Sequence, residues 1–138
     1  MTVTIEQATE AAKGGYFYIC TPYSKWRGGI NDACRMATDI AGRLIKYKMP
    51  VYSPIAHTHP IAKQCGINPF DHDIWMPADK PLLEGAAALI VADLPGWRES
   101  RGVTQEIEWF RATSKPIYLL DLWSYELETF ESNDESTA

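Results

Sequence analysis

Three short apolar runs with helical stretches between them constrain this chain more than any other feature. Tyr16–Cys20 is aromatic and β-branched, with Gly15 before it and Pro22 after it. Residues 87–92 (AALIVA) are continuously apolar, and 116–121 (PIYLLD) form the third run. Runs of this length with no polar alternation read as strands buried on both faces. Between the first two, Ile30, Ala33, Cys34, Ala37, Ile40, Ala41, Leu44 and Ile45 recur at helical spacing. Asp32, Arg35, Asp39, Arg43 and Lys46 take the opposite face, so this is the clearest helix of the chain. A short strand at 50–53 follows it, and a second helix is expected from about Gly102 to Ala112. Alternating strands and helices imply right-handed crossovers and a mostly parallel sheet. The expected fold is α/β: a single-domain, Rossmann-like (flavodoxin-like) parallel sheet with helices on both faces.

The remaining segments are read more coarsely. Residues 1–14 form an irregular or helical lead-in. Residues 55–70, with His57, His59, Pro60, Gly66 and Pro69, read as a long loop. Residues 71–87 look helical but interrupted by Pro77 and Pro81, and 123–131 read as a terminal helix. One domain is expected over 1–131, with a small, polar, acidic tail at 132–138 that reads as disordered.

Composition sets the function classes. With 138 residues, 46% of them hydrophobic, the chain can bury a core without disulfides or metals. Thirteen basic against eighteen acidic residues give a net charge of −5. That disfavours a protein held to nucleic acid by a broad basic surface, but permits a local pocket for a small anion. No apolar run approaches the roughly 18 residues of a membrane span, and the polar stretch 1–13 does not read as a signal peptide. Three cysteines, Cys20, Cys34 and Cys65, have no paired spacing. They read as reduced thiols, which points to a cytoplasmic protein.

In such sheets ligands sit beyond the carboxyl ends of the strands, which directs attention to residues 21–29, 53–60 and 93–101. Val103, Ile107 and Phe110 make an inward stripe on the helix after the last of these, and Glu106 lies on the same stripe. A carboxylate there is costly unless something pairs or uses it; the plainer reading is a part-exposed acid stabilising its helix. Ser100, Arg98, Arg101 and the N–H groups at that helix start can bind an anion, or form an ordinary solvated loop. Tyr23, Trp26, Arg27, Gly28 and Gly29 lie between the first strand and the best helix. There the glycines allow close backbone approach and the aromatics can stack on a base. His57 and His59, with Asp71, His72 and Asp73, have the donor types of a metal site, yet match no metalloenzyme signature. They are read as loop groups or substrate contacts, with no metal and no other cofactor expected. Cys20 reads as a small buried residue.

Taken together, these residues resemble the nucleoside 2-deoxyribosyltransferase superfamily, and within it the 2′-deoxynucleoside 5′-phosphate N-hydrolases. The resemblance covers about residues 16–121. It rests on Arg27-Gly28-Gly29, on an acid seven residues before a small-residue strand entrance (Asp79 before Ala86), and on Ser100-Arg101-Gly102-Val103-Thr104-Gln105-Glu106 at a helix start. The last match is the most specific.

The resemblance implies cleavage of an N-glycosidic bond by a nucleophilic Glu106, through a glycosyl-enzyme ester resolved by water or by a second base. Asp79 would be the second acid. Because Pro77 and Pro81 flank it, Asp73 and Asp93 are the alternatives. Ser100, Gly102 and the Arg27-Gly28-Gly29 turn would hold a 5′-phosphate, while Tyr23, Trp26 and His57 would contact base or sugar. The expected partners are a small nucleotide or nucleoside and further copies of the chain, in a homodimer or larger homo-oligomer. Neither nucleic acid nor membrane is expected. Competing readings are a base-exchanging transferase, a nucleotide sensor without turnover, and a metal-dependent hydrolase using His57, His59 and Asp73.

Overall fold

The computed structural model describes residues 1–130. Its elements, in chain order, are β1 (Thr2–Val3), α1 (Ile5–Ala11), β2 (Phe17–Cys20), α2 (Ile30–Lys46), β3 (Val51–Tyr52), α3 (Pro54–Cys65), α4 (His72–Gly85) and β4 (Ala88–Ala92). A single 3-10 turn (Trp97–Glu99), α5 (Arg101–Ala112), β5 (Ile117–Leu120) and β6 (Leu127–Thr129) complete it. The strands lie in the order β1-β6-β5-β4-β2-β3. The inner pairs β2–β3, β2–β4 and β4–β5 are parallel, and β6 and β1 close one edge antiparallel. This is the flavodoxin-like α/β architecture that the alternation of runs implies.

Strand side chains alternate between faces, and the core follows that rule. Phe17 and Ile19 of β2 and Ala88, Ile90 and Ala92 of β4 pack with Ile5 and Ala8 of α1 and Ile40, Ala41 and Leu44 of α2. Tyr18 and Cys20, with Leu89 and Val91, face the other way. They pack with Leu83 of α4 and Val103, Ile107 and Phe110 of α5. Helices therefore cover both faces, and the β2 side chains turned toward α5 are Tyr18 and Cys20. Helix α2 buries Ala33, Cys34, Ala37, Ile40, Ala41 and Leu44, with Asp32 in its first turn and Arg43 and Lys46 in its last, as the helix dipole favours.

Three expectations are corrected. Residues 54–65 of the expected loop are helix α3. Ser53 caps it by accepting from the Ala56 N–H at 3.2 Å, Pro54 occupies the first helical position, and Gly66 ends it with φ 68°. These are strong start and stop signals, masked in the sequence by the histidines and Pro60. Helix α4 is continuous, because Pro77 and Pro81 both lie on its exposed side, one turn apart, while Trp75 and Asp79 turn inward. The segment expected as a terminal helix contains strand β6. Asp121 accepts from the Trp123 N–H at 2.8 Å, and Tyr125, at φ 57°, turns the chain back onto β5. The lead-in takes the helical form: α1 begins with a Thr4–Gln7 capping box, and the short strand β1 before it pairs with β6. The tail at 132–138 lies outside the described residues. Among the described residues no helix is long and apolar enough to cross a membrane.

Candidate active site

The chain leaves β2 toward β3 on one side and β4 on the other. That reversal of strand order opens a crevice at the carboxyl ends of the strands, and a cavity of about 560 Å³ lies there. Tyr18, Cys20 and Thr21 of β2 and its end line it, facing Trp75, Met76 and Asp79 of α4 and Ser100, Arg101, Gly102, Gln105 and Glu106 at the start of α5. Tyr23, Pro54, Ile55, Thr58, Pro69 and Phe70 line it further.

Ser100 caps α5, its Oγ accepting from the Val103 N–H at 3.3 Å. Arg101 is the first helical residue, so Glu106 sits in the second turn rather than the opening turn. The helix dipole therefore does little to hold it ionised. Burial, joined by the nearby Asp79 charge, instead pushes its pKa up to about 8. Hydrogen bonds from the Tyr18 hydroxyl and the Cys20 thiol pull the other way. The Tyr18 hydroxyl is held well above its ordinary value by burial and then by the Glu106 and Asp79 charges. Cys20 is likewise raised by burial, then by Glu106. Both remain protonated donors at neutral pH, and Cys20 is no thiolate nucleophile.

Asp79 is also raised, chiefly by burial, against the lowering effect of His57 and His72. Its Oδ1 is buried without a hydrogen-bond partner among the described residues. Two carboxyls thus share one cleft, and the Asp79 charge raises Glu106, the kind of pairing that separates acid from base roles.

The other candidates are dispersed. Tyr23 lines the cleft, and its hydroxyl lies 2.6 Å from His59 Nδ1. His59 Nε2 lies 2.9 Å from Asn31 Oδ1. Burial, then Lys63, lowers the pKa of His59. The consistent assignment is a neutral imidazole whose Nε2–H donates to Asn31 and whose Nδ1 accepts from Tyr23. Tyr23→Phe would leave that Nδ1 buried and unpaired, at a cost of about 1–2 kcal/mol. A lower urea midpoint for Tyr23→Phe is the expected readout, and an unchanged midpoint would show the bond contributes nothing.

His57 does not line the cleft. It lies 3.1 Å from the Tyr52 hydroxyl and acts on Asp79 by charge. Trp26 donates to Asp32 Oδ2 at 2.7 Å, while Arg27, Gly28 and Gly29 are exposed outside the cleft, Gly29 as the cap of α2. The structure therefore does not bring the Arg27-Gly28-Gly29 turn to Glu106. Asp93 accepts from Trp97 Nε1 at 3.1 Å in a separate hollow lined by residues 93–99. Among the described residues no three His, Cys, Asp or Glu side chains converge as a metal site. Tyr18 and Thr21 are absent from the candidates that the sequence suggests, although the two-residue alternation of β2 places Tyr18 on the α5 side.

A family model, "Domain of unknown function (DUF1937)", matches residues 15–122. The chain belongs to the DUF1937 family. A search of curated proteins finds no match. The DUF1937 match spans β2 to β5, so it contains Tyr18, Thr21, Asp79 and Glu106. It leaves out β1, α1 and β6, which lie away from the cleft.

Proposed function

We propose that this DUF1937 chain hydrolyses the N-glycosidic bond of (deoxy)nucleoside 5′-monophosphates, in the manner of the deoxyribosyltransferase-like N-hydrolases it resembles. The observation that carries this reading is the placement of Glu106 and Asp79, both half-buried, in one cleft of nucleotide size. Glu106 attacks C1′ as the bond from C1′ to the base nitrogen breaks. The bonding pair leaves with the base, which takes a proton from Asp79. Water, deprotonated by Asp79, then attacks C1′ of the ester, releasing sugar phosphate and restoring Glu106. Tyr23, Phe70 and Trp75 offer apolar faces for the base. Ser100, Arg101 and the first N–H groups of α5 suit a phosphate.

The reactive form has one proton on the pair, held at rest by Glu106 and passed to Asp79 when Glu106 attacks, and the pKa of about 8 at Glu106 marks where the pair gives up that last proton. kcat/KM is therefore expected to fall above pH about 8. In Asp79→Asn the shared proton is gone, and the residual rate should lose this alkaline limb. A wild-type profile that keeps rising through pH 9 would refute the shared proton. The test of the function itself is release of free base from a panel of nucleoside monophosphates, with and without a second base. Label appearing in a new nucleotide would indicate exchange in place of hydrolysis.

A further inference from the structure

Four helical threonines turn the hydroxyl inward on their own helix. Thr9, Thr58, Thr104 and Thr113 each donate to the carbonyl four residues earlier, at 2.7–3.0 Å. Thr21 departs from this pattern. It is 6% exposed, lines the cleft, and its Oγ1 has no partner among the described residues. Thr21 follows the last residue of β2, where no preceding helical turn offers a carbonyl. Pro22 comes next, and a residue before proline is steered to extended backbone, so no local helical carbonyl takes up the hydroxyl. A buried hydroxyl without a partner is costly, and such groups in a cleft mark where a ligand supplies the missing partner. The second orphaned atom, Asp79 Oδ1, lines the same cleft. Thr21 is bonded in the chain to Cys20, which hydrogen-bonds Glu106.

We propose that Thr21 is a specificity-determining residue whose hydroxyl hydrogen-bonds a ring hydroxyl of the sugar. This rests on the sugar-phosphate reading of the cleft and extends it from the reacting carbon to the rest of the ring. Thr21 acts on binding, and Glu106 and Asp79 on chemistry.

The test is a coupling cycle between protein and ligand. Ribose 5-phosphate, 2-deoxyribose 5-phosphate and 3-deoxyribose 5-phosphate are titrated by calorimetry into wild type, Thr21→Val and Thr21→Ser. None of these probes has a base to release, so the readout is independent of turnover. Wild type is expected to bind ribose 5-phosphate about tenfold more tightly than Thr21→Val does, with Thr21→Ser close to wild type. Deleting one ring hydroxyl from the probe should abolish the difference between wild type and Thr21→Val, and that probe identifies the hydroxyl read. Equal losses on all three probes, no loss on any, or no binding of ribose 5-phosphate to wild type would each overturn the proposal. If base release fails while the coupling appears, the catalytic reading alone falls. If base release succeeds without coupling, Thr21 alone falls. The urea midpoint of Thr21→Val should match or exceed that of wild type. A lowered midpoint with uniform losses marks a purely structural hydroxyl and counts against the proposal.

Discussion

Glu106→Gln is expected to cut base release from nucleoside monophosphates by at least about 10³-fold while nucleotide binding persists. The carboxamide keeps the shape of the side chain and can still accept from Tyr18 and Cys20, so the cleft is preserved. What disappears is the nucleophile, because an amide oxygen forms no stable ester with C1′. Asp79→Asn should lose less, about 10²–10⁴-fold, with good leaving groups least affected, since they depart without a proton. Base release measured by chromatography, alongside nucleotide titration, separates the two effects. Full activity in Glu106→Gln would remove Glu106 from the chemistry.

The second large effect is on stability. The folded protein holds Glu106 near a pKa of about 8, against an ordinary 4.5, so folding raises its proton affinity. The stabilising contribution of the protonated form is complete below pH about 4.5 and is lost as pH rises through about 8. At about 1.4 kcal/mol per unit, and allowing for the part of the side chain open to the cleft, the loss is on the order of 2–4 kcal/mol by pH 9. Glu106→Gln does not titrate, so it escapes this loss. It should melt higher than wild type at pH 9 by on the order of 10 °C, with the difference shrinking toward pH 5. Calorimetric scans across that range check the sign. A constant difference at all pH values would mean that the carboxyl is not held in the buried state described. A variant that gains stability as it loses its chemistry fits a site that stores unfavourable burial for use on substrate.

The position of Glu106 on the cleft side of α5 is legible in the sequence, because it shares a helical stripe with Val103, Ile107 and Phe110. The parallel sheet is legible for a similar reason: uninterrupted apolar runs leave little choice but a strand covered on both sides. Helix α3 is hidden because its histidines and Pro60 suggest a loop, whereas Ser53, Pro54 and Gly66 specify its ends by backbone geometry. The continuity of helix α4 is hidden too. The cost of a proline depends on which side of the helix it faces, and that emerges only when Trp75 and Asp79 are seen packed inward. The Arg27-Gly28-Gly29 turn shows the converse. Its composition suggests phosphate binding, yet Trp26 is tied to Asp32 at the start of α2 and the turn is spent on beginning that helix. Thr21 carries no pattern at all, since an unmet hydrogen bond exists only in three dimensions.

The two-sided character of β2 also limits how related proteins can diverge. Adding or deleting a single amino acid before Tyr18 within this strand would swap its two faces, sending aromatic and aliphatic side chains into the cleft and a phenol and a thiol into the oily layer beneath α2. Length changes are thus closed to this stretch. New substrate preferences must arise by point substitution here, or by lengthening the segments around the rim.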